Sequence, residues 1–145
     1  MKRCQKIWLC LSLLLSVAVG MRPQPLSGIA PHADSILLLR VDAAALSTQS
    51  MVFPKGSAGF SQIRQALRGH TYHTALAALY GDTGLNGNQA GYWLHIYWYT
   101  GDRCDMLICG GTGKIELNGC LYEMGYFGNA AALAMMEQLS SILGA

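Results

Sequence analysis

Apolar positions along this chain follow three rhythms, and each predicts an element. Near the start, Ile7 to Met21 is an unbroken, charge-free run of 15 residues. Ser35–Val41 (SILLLRV) and Ser50–Phe53 (SMVF) are apolar runs of strand length, the second stopped by Pro54-Lys55-Gly56. Asp42 to Gln49, long for a turn, is expected to hold a helical kink. In Ser57–Arg68 the period changes. Phe60, Ile63 and Leu67 recur at helical spacing, Arg64 and Arg68 fall away from that stripe, and Gly69 stands where a helix would end. Ala75–Tyr80 reads as a helical turn, and Gly81–Gly91 (GDTGLNGNQAG) as a loop from its glycines and asparagines.

The strongest strand signal is Tyr92–Thr100 (YWLHIYWYT), dense in aromatic and β-branched residues. Gly101-Asp102 is a two-residue turn candidate, with Cys104–Cys109 returning. Gly110–Gly113 turns the chain again into Lys114–Leu117. Asn118-Gly119 is a strong type I′ hairpin signal before Cys120–Met124. At the end, Asn129 is placed to cap a helix whose Ala132, Met135, Met136, Leu139 and Leu143 form one stripe. The expected fold is α+β: an antiparallel β-meander of about four to six strands packed against two helices.

Charge changes the picture at the N-terminus. Lys2, Arg3 and Lys6 precede the first apolar run, and Ala18-Val19-Gly20 supplies small residues for cleavage, the pattern of a secretory signal over residues 1–20. The run is shorter than the roughly 20 residues of a spanning helix, so an uncleaved membrane anchor is the alternative. Proline-rich 21–33 is expected to be a flexible linker and 34–145 the folded domain. The chain carries ten Lys and Arg against eight Asp and Glu. Without the leader's three basic residues that balance becomes seven against eight, or −1. No basic stripe remains for nucleic acid. Contact with a membrane is expected only through the N-terminal segment.

The chemical candidates are few. GGTGK, residues 110–114, lacks the Ser or Thr after lysine and the following helix that a phosphate loop needs, so its glycines are read as turn residues. Cys104, Cys109 and Cys120 remain beyond the leader, enough for one disulfide and one thiol in an oxidising compartment. A two-residue turn at Gly101-Asp102 would set Tyr99 against Cys104 and Tyr97 against Met106. Continuing that register puts Cys104 and Cys120 on one face and favours their pairing, whereas one bulge would favour Cys109–Cys120. His70 and His73 share a face only in a helix, and nothing brings them to His95 or a cysteine as metal ligands. Asp82 to Trp93 imitates a calcium loop but has Gly84 and Trp93 at two ligand positions. No nucleophile elbow and no marked carboxylate pair appears. No cofactor and no catalytic residue is assigned.

One feature could form a binding face. Trp93, His95, Tyr97 and Tyr99 fall on one side of the aromatic strand, and Leu94, Ile96 and Trp98 on the other. Rows of aromatic side chains bind peptides or sugars through large area and low entropy cost. The order of elements is similar to that of small exported domains of unknown function from Gram-positive gut bacteria. The carriers are Ser35–Val41, Phe60–Leu67, Tyr92–Tyr99, Asn118-Gly119, Leu121-Tyr122-Glu123 and Leu133–Leu143. The resemblance implies an envelope location but no functional residues, and the anchoring cysteine often present in such families is missing. The expected function is a secreted or extracytoplasmic, non-catalytic binding domain for a protein, peptide or glycan. The rivals are a thiol- or metal-dependent enzyme using Cys104, Cys109, Cys120 and histidines, and a membrane-tethered accessory protein.

Overall fold

A computed structural model describes residues 3–42, 45–74, 91–98, 100–109, 112–125 and 128–144. Helix α1, Arg3–Gly20, carries the apolar leader run, with Ile7, Trp8, Leu9 and Leu11 exposed. Among the described residues no helix is long and apolar enough to cross a membrane. Strand β1 (Gln24–Pro25) and a short 3-10 turn (Leu26–Ile29) follow. Then come β2 (Ser35–Asp42), β3 (Ser47–Pro54), helix α2 (Ala58–Arg68) and β4 (Thr71–Thr74). The chain continues with β5 (Gly91–Tyr97), β6 (Arg103–Cys109), β7 (Lys114–Leu117), β8 (Cys120–Met124) and helix α3 (Ala130–Gly144).

The strands form one eight-stranded antiparallel sheet in the order β1-β4-β8-β7-β6-β5-β2-β3. The expected α+β meander is therefore present as β5 to β8, but the strand count exceeds four to six. Two additional strands, β1 and β4, and the first part of β3 come from segments whose sequence carries little strand signal. Gln24-Pro25 pairs with β4, and Leu26 and Ala30 are buried, so the proline-rich stretch is docked rather than a free linker. Asp42 pairs directly with Ser47, so Ser47–Gln49 belongs to β3 and the helical kink expected there is replaced by a short hairpin connection. The segment after Gly69 is a strand, not a helix, which removes the shared helical face of His70 and His73. The expected turn at Ala75–Tyr80, most of the loop after it and the calcium-loop imitation lie largely outside the described residues.

One face of the sheet is covered. Ile36, Leu38, Phe53, Leu94, Ile96, Met106, Ile108 and Ile115 pack in one cluster with Phe60, Ile63 and Leu67 of α2 and Met135, Leu139 and Leu143 of α3. Helix α2 begins where the sequence places it, because the Ser57 hydroxyl accepts from the Phe60 N–H at 3.2 Å. Gly69 ends it as expected, though in right-handed conformation at φ −75° rather than the left-handed one glycine usually supplies. Helix α3 buries Ala132, Met135, Leu139, Ile142 and Leu143, close to the expected stripe.

Two of the three hairpin registers match expectation. Ile108 faces Ile115 and Leu117 faces Cys120, with Asn118 and Gly119 at φ 49° and 82°, the paired positive values of a type I′ turn. The first register does not match. Tyr97 faces Arg103 and Ile96 faces Cys104, instead of Tyr97 facing Met106 and Tyr99 facing Cys104. The turn is wider than two residues. Trp98 N–H donates to the Asp102 carbonyl at 3.1 Å, Gly101 N–H donates to the Trp98 carbonyl at 3.0 Å, and Gly101 supplies φ 88°. Gly101 takes the left-handed step that a three-residue connection needs.

Candidate functional site

The alternation of β5 divides its side chains as the sequence predicts. Tyr92, Leu94 and Ile96 are buried under the helices, while Trp93, His95 and Tyr97 stand half-buried on the opposite face. Tyr99, the fourth expected member, lies outside the described residues. The neighbours of this row come from β2 and β6: Leu39 and Leu107 flank Trp93, Leu37 and Asp105 flank His95, and Ser35 and Arg103 flank Tyr97. Further along, Leu107 faces Glu116, which faces Leu121. The open face is thus apolar and aromatic with a charged centre.

That centre is a short chain of polar contacts. His95 Nδ1 lies 2.5 Å from Asp105 Oδ1, and Arg103 Nη2 lies 2.8 Å from Asp105 Oδ2. A carboxylate only accepts, so the ring nitrogen donates, which fixes the proton on Nδ1 of the neutral ring and turns Nε2 into an acceptor. Asp105 is itself anchored: its N–H donates to Asn118 Oδ1 at 2.8 Å, and Asn118 N–H donates to the Asp105 carbonyl at 2.9 Å. The Trp93 and His95 rings are stacked, with centroids 6.0 Å apart and planes 13° from parallel. With side-chain exposures of 19% for His95 and 28% for Asp105, this is a surface group under modest screening, not a buried ion pair. A carboxylate-held histidine is also the base half of a nucleophilic site. Among the described residues His95 makes no hydrogen bond to a Ser, Thr or Cys.

Asp105 and Arg103 were not readable as partners of His95. Their pairing depends on the β5–β6 register, and a two-residue turn sets different residues opposite. With Asp105 opposite, His95 gains an orienting carboxylate, and Tyr97 lies opposite Arg103 rather than Met106.

The cysteines do not assemble. Cys104 is buried on the covered face and Cys120 is exposed beyond the hairpin, and both are thiols. Their expected disulfide is absent because β7 lies between β6 and β8. Two strand spacings come to about 10 Å, well outside the reach of a disulfide. Sharing a face was a necessary condition but not a sufficient one. Nothing is described of the Cys109 side chain. Burial pushes the Cys104 thiol above its ordinary pKa, a hydrogen bond from Asn118 opposes this and nearby Asp105 adds to it. Such a thiol is the opposite of an activated nucleophile.

The remaining histidines are spread out. His73 is buried with Nε2 2.7 Å from the Gly125 carbonyl and Nδ1 3.1 Å from the Thr74 carbonyl, the setting of a structural histidine. His70 contacts Gln138 of α3, and its buried Nε2 has no partner; burial lowers its pKa, with the Gln138 hydrogen bond opposing. Beside it a groove of about 430 Å³ runs between α2 and α3, lined by Gln62, Gln65, Gln138 and Ser141. Among the described residues no group of three or more His, Cys, Asp or Glu could hold a metal ion. In GGTGK, Thr112-Gly113 is a turn and Lys114 opens a strand, so no helix terminus follows the glycines.

Comparison with known protein families, with curated proteins and with solved structures finds no match to this chain.

Proposed function

We propose that this chain is an exported, non-catalytic binding domain of the cell envelope or exterior, and that its open sheet face receives the ligand. The observation that carries the reading is the row Trp93, His95, Tyr97, half-exposed on the face away from α2 and α3, with His95 oriented by Asp105, which also pairs with Arg103. Large aromatic rings with one orienting polar group are the composition of binding hot spots. The leader pattern and the exposed apolar side of α1 support export.

The test is retention of the protein on isolated envelope of its producing cell. Trp93→Ala and Tyr97→Ala are each expected to weaken retention by at least about tenfold with an unchanged circular-dichroism spectrum. Undiminished retention in both variants would rule out this face. The mass of the recovered chain tests export separately: a chain beginning near Met21 supports release, and an intact leader supports the membrane-tethered accessory reading. The thiol-enzyme alternative is less well supported at Cys104, whose thiol burial pushes above its ordinary pKa.

A further inference from the structure

The sheet has two edges, and they differ in kind. At one end β1 has only two residues, Gln24 and Pro25, and proline offers no N–H to a further strand. At the other end β3 pairs with β2 through eight consecutive residue pairs without a bulge. Its sequence, STQSMVFP, has no charged residue and no proline before the last position. Ser47 to Val52 are exposed, including Met51 at 42% and Val52 at 61%. In an antiparallel ladder every second residue turns its N–H and C=O away from the partner. Among the described residues, the hydrogen bonds β3 makes beyond the β2 ladder are a side-chain bond from Gln49 to the Leu143 carbonyl and one from Ser57 N–H to the Pro54 carbonyl, while Phe53 packs under the helices on the covered face. None of the usual devices that blunt an edge, such as lysine, an interior proline, a bulge or a short strand, is present in β3.

We infer that β3 is a strand-addition edge and that its occupant is β3 of a second copy of this chain. A two-fold axis perpendicular to the sheet near Ser50 sets Ser50 against Ser50 of the partner subunit, Gln49 against the partner's Met51 and Thr48 against the partner's Val52. Residues of the same parity then meet, so the helix layers of both copies lie on one side and the open faces form one continuous surface on the other. At a two-fold axis every charge meets its own image, and like charges opposite each other destabilise a pair. A strand with no charge is free of that penalty in every register, which favours a copy of itself over a charged peptide. Thr48 and the partner's Val52 give a β-branched cross-strand pair on the open face.

The test is the concentration dependence of mass, by sedimentation velocity on the protein as recovered from its producing cell, with Ser50→Lys, Ser50→Glu and their mixture. The wild type is expected to be dimeric, Ser50→Lys and Ser50→Glu alone monomeric with at least about tenfold weaker association, and the mixture dimeric again. Restoration on mixing identifies Ser50 as facing its own copy. Should Ser50→Lys fail to fold, slowing of β3 amide exchange as wild-type concentration rises gives the same answer. A wild type that stays monomeric to about 100 µM overturns the proposal and leaves the edge to another partner. A dimer insensitive to Ser50→Lys but lost in Trp93→Ala also overturns it, placing the contact on the open face. Because these outcomes do not involve envelope retention, they are independent of the binding reading.

Discussion

Trp93 and Leu94 are neighbours in sequence and lie on opposite faces of the same strand. Leu94 is fully buried between the sheet and its helices, whereas Trp93 is half-exposed beside Leu39 and Leu107. The covered face is a packed apolar layer with little polarity. The open face sets its apolar Leu37, Leu39, Trp93 and Leu107 among His95, Asp105, Arg103 and Glu116. Hydrophobicity alone therefore does not distinguish core from candidate site in this chain; helix cover and polar anchoring do.

The comparison is broken most directly by truncating each neighbour. Leu94→Ala is expected to cost about 3 kcal/mol, the transfer term plus the cavity it leaves. Trp93→Ala is expected to cost about 1 kcal/mol, because water already reaches much of the ring. Urea denaturation of both variants measures the contrast, and equal losses would mean that the open face is covered in solution.

A smaller effect sharpens the description of the covered side. A Cβ on Gly59 would lie 2.2 Å from the Phe53 ring, so α2 approaches β3 through the missing side chain. Alanine gains about 1 kcal/mol in helix propensity over glycine, and overpacking costs about 1–3 kcal/mol. Gly59→Ala is thus expected to destabilise by about 1 kcal/mol in the wild type and to become neutral or stabilising in a Phe53→Ala background. A double-mutant cycle reads that reversal.

The smallest effect concerns pH. His70, beside the helix layer, has a folded pKa below its unfolded value near 6.5. Below about pH 6.5 the unfolded chain takes up a proton that the folded chain takes only at lower pH, so this contribution to stability is lost on acidification. His70→Gln is expected to lose less stability than the wild type between pH 7.5 and 5.5, measured as the shift in melting temperature. An identical shift in both proteins would remove His70 as the source.

Much of the fold could be read from the chain because its signals are local. The capping Ser57, the Asn118-Gly119 turn, the alternation of β5 and the stripe of α3 are each decided within a few residues. The failures lie where distant segments decide. Gln24-Pro25 becomes a strand because β4 offers an edge, and nothing near Gln24 says so. The site was half legible. Trp93, His95 and Tyr97 could be placed on one face, but Asp105 reached His95 only because the turn is one residue longer and lies earlier than the sequence suggested, which shifts the register by three positions. That same shift sets Ile96, not Tyr99, opposite Cys104.

The strand order also sets a timetable for the chain. Strand β2 sits between β3, which follows it at once, and β5, which begins only at Gly91. A lone two-stranded hairpin is at best marginally stable in water. At a synthesis rate of about 5–20 residues per second, the β2–β3 hairpin therefore waits several seconds for the strand that completes it. Strand order gives this chain a delay between emerging and setting, whose length is set by the stretch of chain between β3 and β5.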